Sequence, residues 1–143
     1  MNILFTSLWY TNRYDPMCGL FVRKHAEAVG LYNNVKVLYI HPDVHIHQIE
    51  ITKDLHNNIE EIIIYFPAQS QTIFQKSKKA INYLIAYRKG FRLLHKSGFR
   101  PDIIHANILT RTGVMALWQK IINRTPYVIT EHWSRYLPIR NTY

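Results

Sequence analysis

Six short apolar runs alternate with stretches of helical spacing along this chain, and the order of the two patterns predicts its architecture. Ile3, Leu4 and Phe5 open a first buried strand that turns polar at Thr6 and Ser7 and ends in Leu8-Trp9-Tyr10. A polar loop follows, in which Asp15 before Pro16 is placed to cap a helix that starts at the proline. Within residues 20–31 the positions Phe21, His25, Ala28 and Val29 recur at helical spacing, stopped by Gly30 and Asn33-Asn34. A second strand covers residues 35–40 and is cut by Pro42. Runs at 44–52 and 59–66 are separated by too few residues for a crossover helix, so they are expected to form an antiparallel hairpin. A long helix is predicted over 72–97, with Ala80, Leu84, Tyr87, Phe91 and Leu94 as its inward stripe. Then come a strand at 102–107, a short helix at 111–122 with Val114, Leu117 and Ile121 inward, and a last buried strand that starts at Pro126. Strand, helix, strand, hairpin, helix, strand, helix, strand reads as a Rossmann-like parallel α/β sheet flanked by helices, with a small antiparallel hairpin insertion.

The chain has 143 residues, which fits a single domain over 1–143 able to bury roughly 70% of its unfolded surface. A single cysteine, Cys18, rules out an internal disulfide framework and points to a reducing compartment. No basic leader precedes the first apolar run, so no signal peptide is expected, and no apolar run is long enough to span a membrane.

Charge changes the picture. The formal net charge is +9, and not one acidic residue lies between Glu61 and Asp102. That interval holds Lys76, Lys78, Lys79, Arg88, Lys89, Arg92, Lys96 and Arg100, so most of the excess sits on the long helix. Lys78, Lys89, Arg92 and Lys96 fall opposite the apolar stripe, with Ile81 and Ile85 close to them. A solvated helix face would look like this. So would a face that meets an anionic membrane, where apolar residues among cations are favourable.

The candidate chemistry lies at strand ends. Ligands of open α/β sheets bind beyond the carboxyl ends of the strands. Three strands here deliver polar or aromatic groups to that edge: Trp9 and Tyr10 after Thr6-Ser7, His105 with Asn107, and Glu131 with His132 after Thr130. His132 can donate to or accept from a hydroxyl, and Glu131 can hold a sugar hydroxyl or orient a side chain. No close-spaced ligand pair marks a dedicated metal site, and no Gly-x-Gly-x-x-Gly or Walker-type loop follows a strand. A nucleophilic role for Cys18 beside His25 rests on sequence proximity alone.

In their order and spacing, these pieces resemble the amino-terminal part of family 4 glycosyltransferases. The resemblance is carried by the opening strand followed by Pro16, Gly19 and Phe21, then a helix with Arg23, His25 and Ala26-Glu27-Ala28. It continues in Pro101-Asp102-Ile103-Ile104-His105-Ala106, Gly113, and Pro126 leading into Thr130-Glu131-His132. The resemblance implies the amino-terminal lobe of a two-lobed GT-B enzyme, with the active site between lobes and the carboxyl-terminal donor-binding lobe beyond this chain. It implies retaining transfer of a hexosyl unit from a nucleotide-sugar to a glycan or lipid-linked acceptor, as in polysaccharide biosynthesis, with no metal and no cofactor. By the same resemblance His132 lies against the donor sugar as the catalytic histidine, and Gly19 belongs to the loop that approaches the donor phosphates and the acceptor. Trp9, Tyr10, His105, Asn107 and Glu131 are the candidate acceptor-binding groups around them. Two departures accompany it: Gly19 stands alone where many members have a glycine pair, and Asn107 stands where a second histidine is common.

The expectation is therefore a cytoplasmic transferase lobe, peripheral at the inner face of the plasma membrane through Lys78, Lys89, Arg92 and Lys96, and inactive without its partner lobe. The competing reading is a basic α/β module that binds nucleic acid, or a non-catalytic interaction domain. No nucleic-acid motif accompanies the basic residues, so no nucleic acid is expected as partner.

Overall fold

The computed structural model describes residues 1–68 and 72–132. Its strands are β1 (Asn2–Ser7), β2 (Asn34–Asp43), β3 (Glu50–His56), β4 (Ile59–Pro67), β5 (Ile103–Asn107) and β6 (Tyr127–Thr130). Its helices are α1 (Leu20–Gly30), α2 (Ile73–Lys96) and α3 (Val114–Asn123), with a π-helical turn at Leu109–Gly113 leading into α3. One six-stranded sheet has the order β3-β4-β2-β1-β5-β6. All pairs are parallel except β3 with β4. The expected Rossmann-like sheet with an antiparallel hairpin is what the chain forms.

Strand order runs outward from β1 in both directions, so the connections reverse between β1 and β5. At such a switch point the carboxyl ends of neighbouring strands splay their loops apart and leave a crevice. Ser7 and Asn107 are register partners there.

The sheet is covered on both faces. Phe5, Val35, Val37, Ile59 and Ile63 pack with Val22 and Ala26 of α1 on one side. Leu4, Leu38, Ile62, Ile64 and Ile104 pack with Tyr87, Phe91, Leu94, Met115 and Ala116 of α2 and α3 on the other. Gly90 lets α2 come close, because a Cβ there would stand 2.6 Å from a Leu38 methyl. A capping box starts α2: Gln75 N–H donates to Thr72 Oγ1 (3.2 Å), and Thr72 N–H to Gln75 Oε1 (3.0 Å).

Several boundaries and faces differ from the sequence-based expectation. Strand β2 runs through Pro42 to Asp43, because beyond Tyr39 it has lost β1 as a neighbour and pairs only with β4. A proline on that open side forfeits no ladder bond. Strand β3 occupies residues expected to be linker and leaves 44–49 outside it. As an edge strand its bounds follow the backbone of β4, and Asn57 turns the hairpin with φ 52°. Helix α1 begins at Leu20, not Pro16; the Asp15 carboxylate instead accepts from Met17 and Cys18 N–H in a tight turn. Its inward residues are Val22 and Ala26, while Phe21 is about half exposed.

The two remaining helices turn apolar residues outward. In α2 the buried residues run only from Ala86 to Leu94, and Ala80 and Leu84 are exposed. Asn82 donates to Pro67 O (3.0 Å) at the end of β4, so the turns before it project past the carboxyl edge of the sheet. In α3 the predicted inward stripe is reversed: Val114, Leu117 and Ile121 are exposed, and Met115, Ala116 and Gln119 face the sheet. Periodicity picks out the apolar face of Val114, Leu117, Trp118 and Ile121 but carries no information on what covers it, and here that face turns away from the sheet. Strand β6, expected to be buried, is an edge strand with Val128 and Ile129 exposed. No helix among the described residues is long and apolar enough to cross a membrane.

Candidate functional site

Two chains of interaction meet at the carboxyl edge beside the switch point. The outer one runs from α1 to β5 through His132. Its ring meets Phe21 edge-on with centroids 4.6 Å apart, and its Nε2 lies 3.1 Å from Asn107 Oδ1. An amide oxygen only accepts, so Nε2 carries the proton; in the neutral ring Nδ1 then holds the lone pair that a ligand hydroxyl can meet. His132 is exposed, on the rim and not in the core.

The inner chain is drier. His105 packs against Phe5 (4.6 Å between centroids) and His25 (5.1 Å), and its Nε2 lies 2.7 Å from the Thr130 hydroxyl. Burial first, then the neighbouring His25 and His132, pushes its pKa down to about 4, so it is neutral at physiological pH. His105 therefore ties β5 to β6 under the rim. Neither His25 nor Phe21 is among the site residues the sequence suggests; it offers them as helical-stripe positions, as part of the family resemblance and, for His25, as a neighbour of Cys18. One turn apart, they face β5 and β6 together, and a polar ring recurring in an apolar stripe was the available signal.

Asn107 is fully buried, with Nδ2 at the limit of hydrogen-bond range (3.5 Å) from Thr6 O. Just beyond it, Ile108 has φ 73°, a region that a β-branched residue occupies at a cost of about 1–3 kcal/mol. Its N–H is held by Thr130 O at 2.8 Å, and Thr112 Oγ1 donates to Asn107 O at 3.1 Å. Glu131 reaches across: one carboxylate oxygen accepts from Leu109 N–H (2.9 Å), the other from His132 N–H (3.0 Å). It fastens the π-helical turn to the end of β6, so it positions the rim through backbone contacts. Trp133 lies outside the described residues.

The first loop is fixed by its own polar set. Gly19 has φ 62°, and a Cβ there would stand 2.3 Å from Trp9 O, so both conformation and space require glycine. Trp9, half-buried, closes a turn with Ser7, whose hydroxyl donates to Trp9 O at 2.5 Å. Gly19 and Trp9 thus hold each other where the chain leaves β1. Arg13 pairs with Asp43 and with Glu50 (2.6 Å), and Tyr14 OH donates to Asp43 at 2.6 Å. Burial raises the Asp43 pKa, yet the bonds from Tyr14, Arg13 and His45 N–H outweigh it and hold the carboxyl at about 2.

Tyr10 does not join the rim. It is fully buried, and its hydroxyl donates to Glu61 Oε1. Arg23 completes that group with a bidentate pair to Glu61 at 2.8 and 2.7 Å. A ligand at the edge cannot touch the Tyr10 side chain, which locks α1 to β4. The Cys18 thiol is pushed up by burial first and then by Asp15, the reverse of an activated nucleophile.

No protein-family model matches the chain, and no curated protein does. Among solved structures, two chains of sucrose-phosphate synthase from Thermosynechococcus elongatus are similar to it. One is 16% identical with a TM-score of 0.48, over 94% of this chain and 65% of that one. The other is 15% identical with a TM-score of 0.49, over 92% of this chain and 32% of that one. The chain thus spans less than two thirds of either protein's length.

Away from the rim, Lys78, Lys89, Arg92 and Lys96 are all exposed on α2. Among the described residues, the ion pairs engage Arg13, Arg23, Lys24, Lys36 and His56, and none engages α2 or the π-helical turn. A cleft of about 740 Å³ opens between α2 and α3, and sequence reasoning missed it. On the α2 side it is lined by Ala80 and Leu84, which the inward stripe loses to solvent ahead of the buried Tyr87, Phe91 and Leu94, and on the α3 side by Val114, whose stripe is reversed.

The rim can bind and orient. It offers an imidazole, an amide and aromatic edges, while both oxygens of Glu131 are engaged with backbone N–H groups. Among the described residues no group of three His, Cys, Asp or Glu is arranged to hold a metal ion.

Proposed function

We propose that this chain is the acceptor-side lobe of a retaining glycosyltransferase, working with a donor-binding lobe to move a hexosyl unit from a nucleotide-sugar to an acceptor. The observation that carries this reading is the His132–Asn107 pair at the carboxyl edge beside the switch point, where β1, the strand that runs into the loop pinned by Gly19 and Trp9, pairs with β5. One wall of a two-sided site needs such groups: hydrogen-bonding, pre-positioned and short of a complete acid–base set. In this reading His132 meets the donor sugar, Gly19 and Trp9 border the acceptor, and His105, Asn107 and Glu131 hold the rim in place.

We place the transferase at the inner face of the plasma membrane, with the outward cations of α2 against anionic lipid. Exposed Ile81 and Ile85 between those cations favour lipid over nucleic acid.

His132→Ala in a chain joined to its donor lobe tests the assignment. Turnover should fall by about 10²-fold or more, as for loss of one transition-state contact, with the thermal midpoint unchanged. Full turnover in the variant would remove His132 from the site. Turnover of a nucleotide-sugar by the 143-residue chain alone would overturn the two-lobe reading.

A further inference from the structure

The cleft between α2 and α3 has the wrong chemistry for a surface meant to face water. Its walls are apolar, with Leu84 46% and Val114 58% exposed and Tyr83 between them. Its rim is cationic: Lys76 and Lys79 from α2, and Arg111 from the π-helical turn, whose guanidinium lies 6.0 Å from the Tyr83 ring centroid. Among the described residues no carboxylate pairs with any of the three. Cations brought together from two elements without a counter-ion repel one another, and an anion between them relieves that cost.

The cleft's volume, about 740 Å³, is in the range of sites that enclose most of a small ligand. An apolar trough ending in unpaired cations matches an amphiphile with an anionic head. Phe66, at the end of β4, and Thr110, in the π-helical turn, also line it, so it opens at the same edge as the His132 rim. Glu131 joins the two by gripping the first N–H of that turn.

We propose that this cleft binds a single-chain lipid phosphate. The hydrocarbon lies along Tyr83, Leu84 and Val114, and the phosphate sits among Lys76, Lys79 and Arg111. This rests on the transferase reading for its purpose, since it names the acceptor class as lipid-linked and brings its head group to the reacting edge. Binding itself is independent of turnover.

Farnesyl phosphate, titrated calorimetrically below its micelle concentration into the 143-residue chain, is the probe. It should bind at least tenfold more tightly than farnesol or inorganic phosphate, a difference of about 1.4 kcal/mol. Lys79→Glu with Arg111→Glu should remove that advantage, and Leu84→Asp should do so through the other end of the ligand. Both alter exposed or half-exposed positions, and circular dichroism checks that each variant stays folded. Phosphatidylglycerol vesicles separate a site for one lipid from a charged surface: Lys89→Glu/Arg92→Glu/Lys96→Glu should lose vesicle binding and keep farnesyl phosphate. Equal affinity in wild type and cleft variants, or no binding at all, overturns the proposal. So does a wild type that binds inorganic phosphate as tightly as the lipid. If His132→Ala abolishes turnover while farnesyl phosphate does not bind, the transferase reading stands and this one falls.

Discussion

The two faces of the sheet solve the problem of charge in opposite ways. On the α1 face, polar groups are matched across elements: the buried Glu61 with Arg23 and the buried Tyr10, the buried Asp43 with Arg13 and Tyr14, and the half-buried His105 with Thr130. On the α2–α3 face the core is mainly apolar, with Gln119 among its buried polar side chains, and among the described residues no ion pair engages the cations of α2 or the π-helical turn. A buried matched network is costly to alter and holds one geometry. An exposed unmatched surface contributes little to stability and is available to something else. The first face sets the rim; the second is where a ligand or membrane can be received.

The contrast breaks first at Glu61. Replacing Glu61 by Ala leaves the buried Tyr10 hydroxyl and the half-buried Arg23 beside a vacant acceptor, and removal of the buried partner of such a pair typically costs up to about 3–5 kcal/mol. Urea unfolding of the variant should show a loss of that size, a large part of the stability of a small domain. A loss near that of a surface substitution would mean that the matched face is no firmer than the other.

A smaller effect belongs to His105. Its folded pKa is about 4, below the roughly 6.5 of an unfolded histidine. Between these values the unfolded chain binds more protons than the folded one, so stability falls as pH drops from about 6.5 to about 4. Above that window the contribution is fully present. His105→Gln should flatten this part of the pH profile of the urea midpoint, and an unchanged profile would place the acid sensitivity elsewhere.

How much of this was legible in the sequence follows the same division. The order of strands and helices was readable, because apolar runs such as Ile62 to Phe66 are bounded by turn residues and fix where strands lie. His132 could be placed at a strand end for the same reason. The matched face was not readable pair by pair, since Tyr10 and Glu61 are 51 residues apart and no local pattern joins them. Tyr10 therefore looked like a rim residue. The open face misleads differently: α3 has an apolar stripe through Val114, Leu117 and Ile121, but spacing does not encode whether the sheet covers it, and in the fold it faces outward. Glu131 was legible as a strand-end carboxylate, but its grip on Leu109 N–H depends on a turn that periodicity does not encode.

The smallest stability effect is expected where the charge is greatest. In the variant Lys89→Glu/Arg92→Glu/Lys96→Glu, all three side chains are exposed and none has an ion-pair partner among the described residues. Lys96 lies in the last turn of α2, where a cation favours the helix dipole, so its reversal costs about 0.3–1 kcal/mol. The Arg92→Glu change brings a carboxylate one turn after Arg88, a pair worth about 0.2–0.5 kcal/mol, which offsets part of that. The net change in the urea midpoint should therefore stay near zero. Attraction to anionic vesicles, at about 1 kcal/mol per cation near the surface, should be lost in the same protein. In wild type it should weaken as salt shortens the reach of charge to about 8 Å. A triple variant that unfolds as readily as Glu61→Ala would show that these cations support the fold after all, and the two faces would no longer differ in kind.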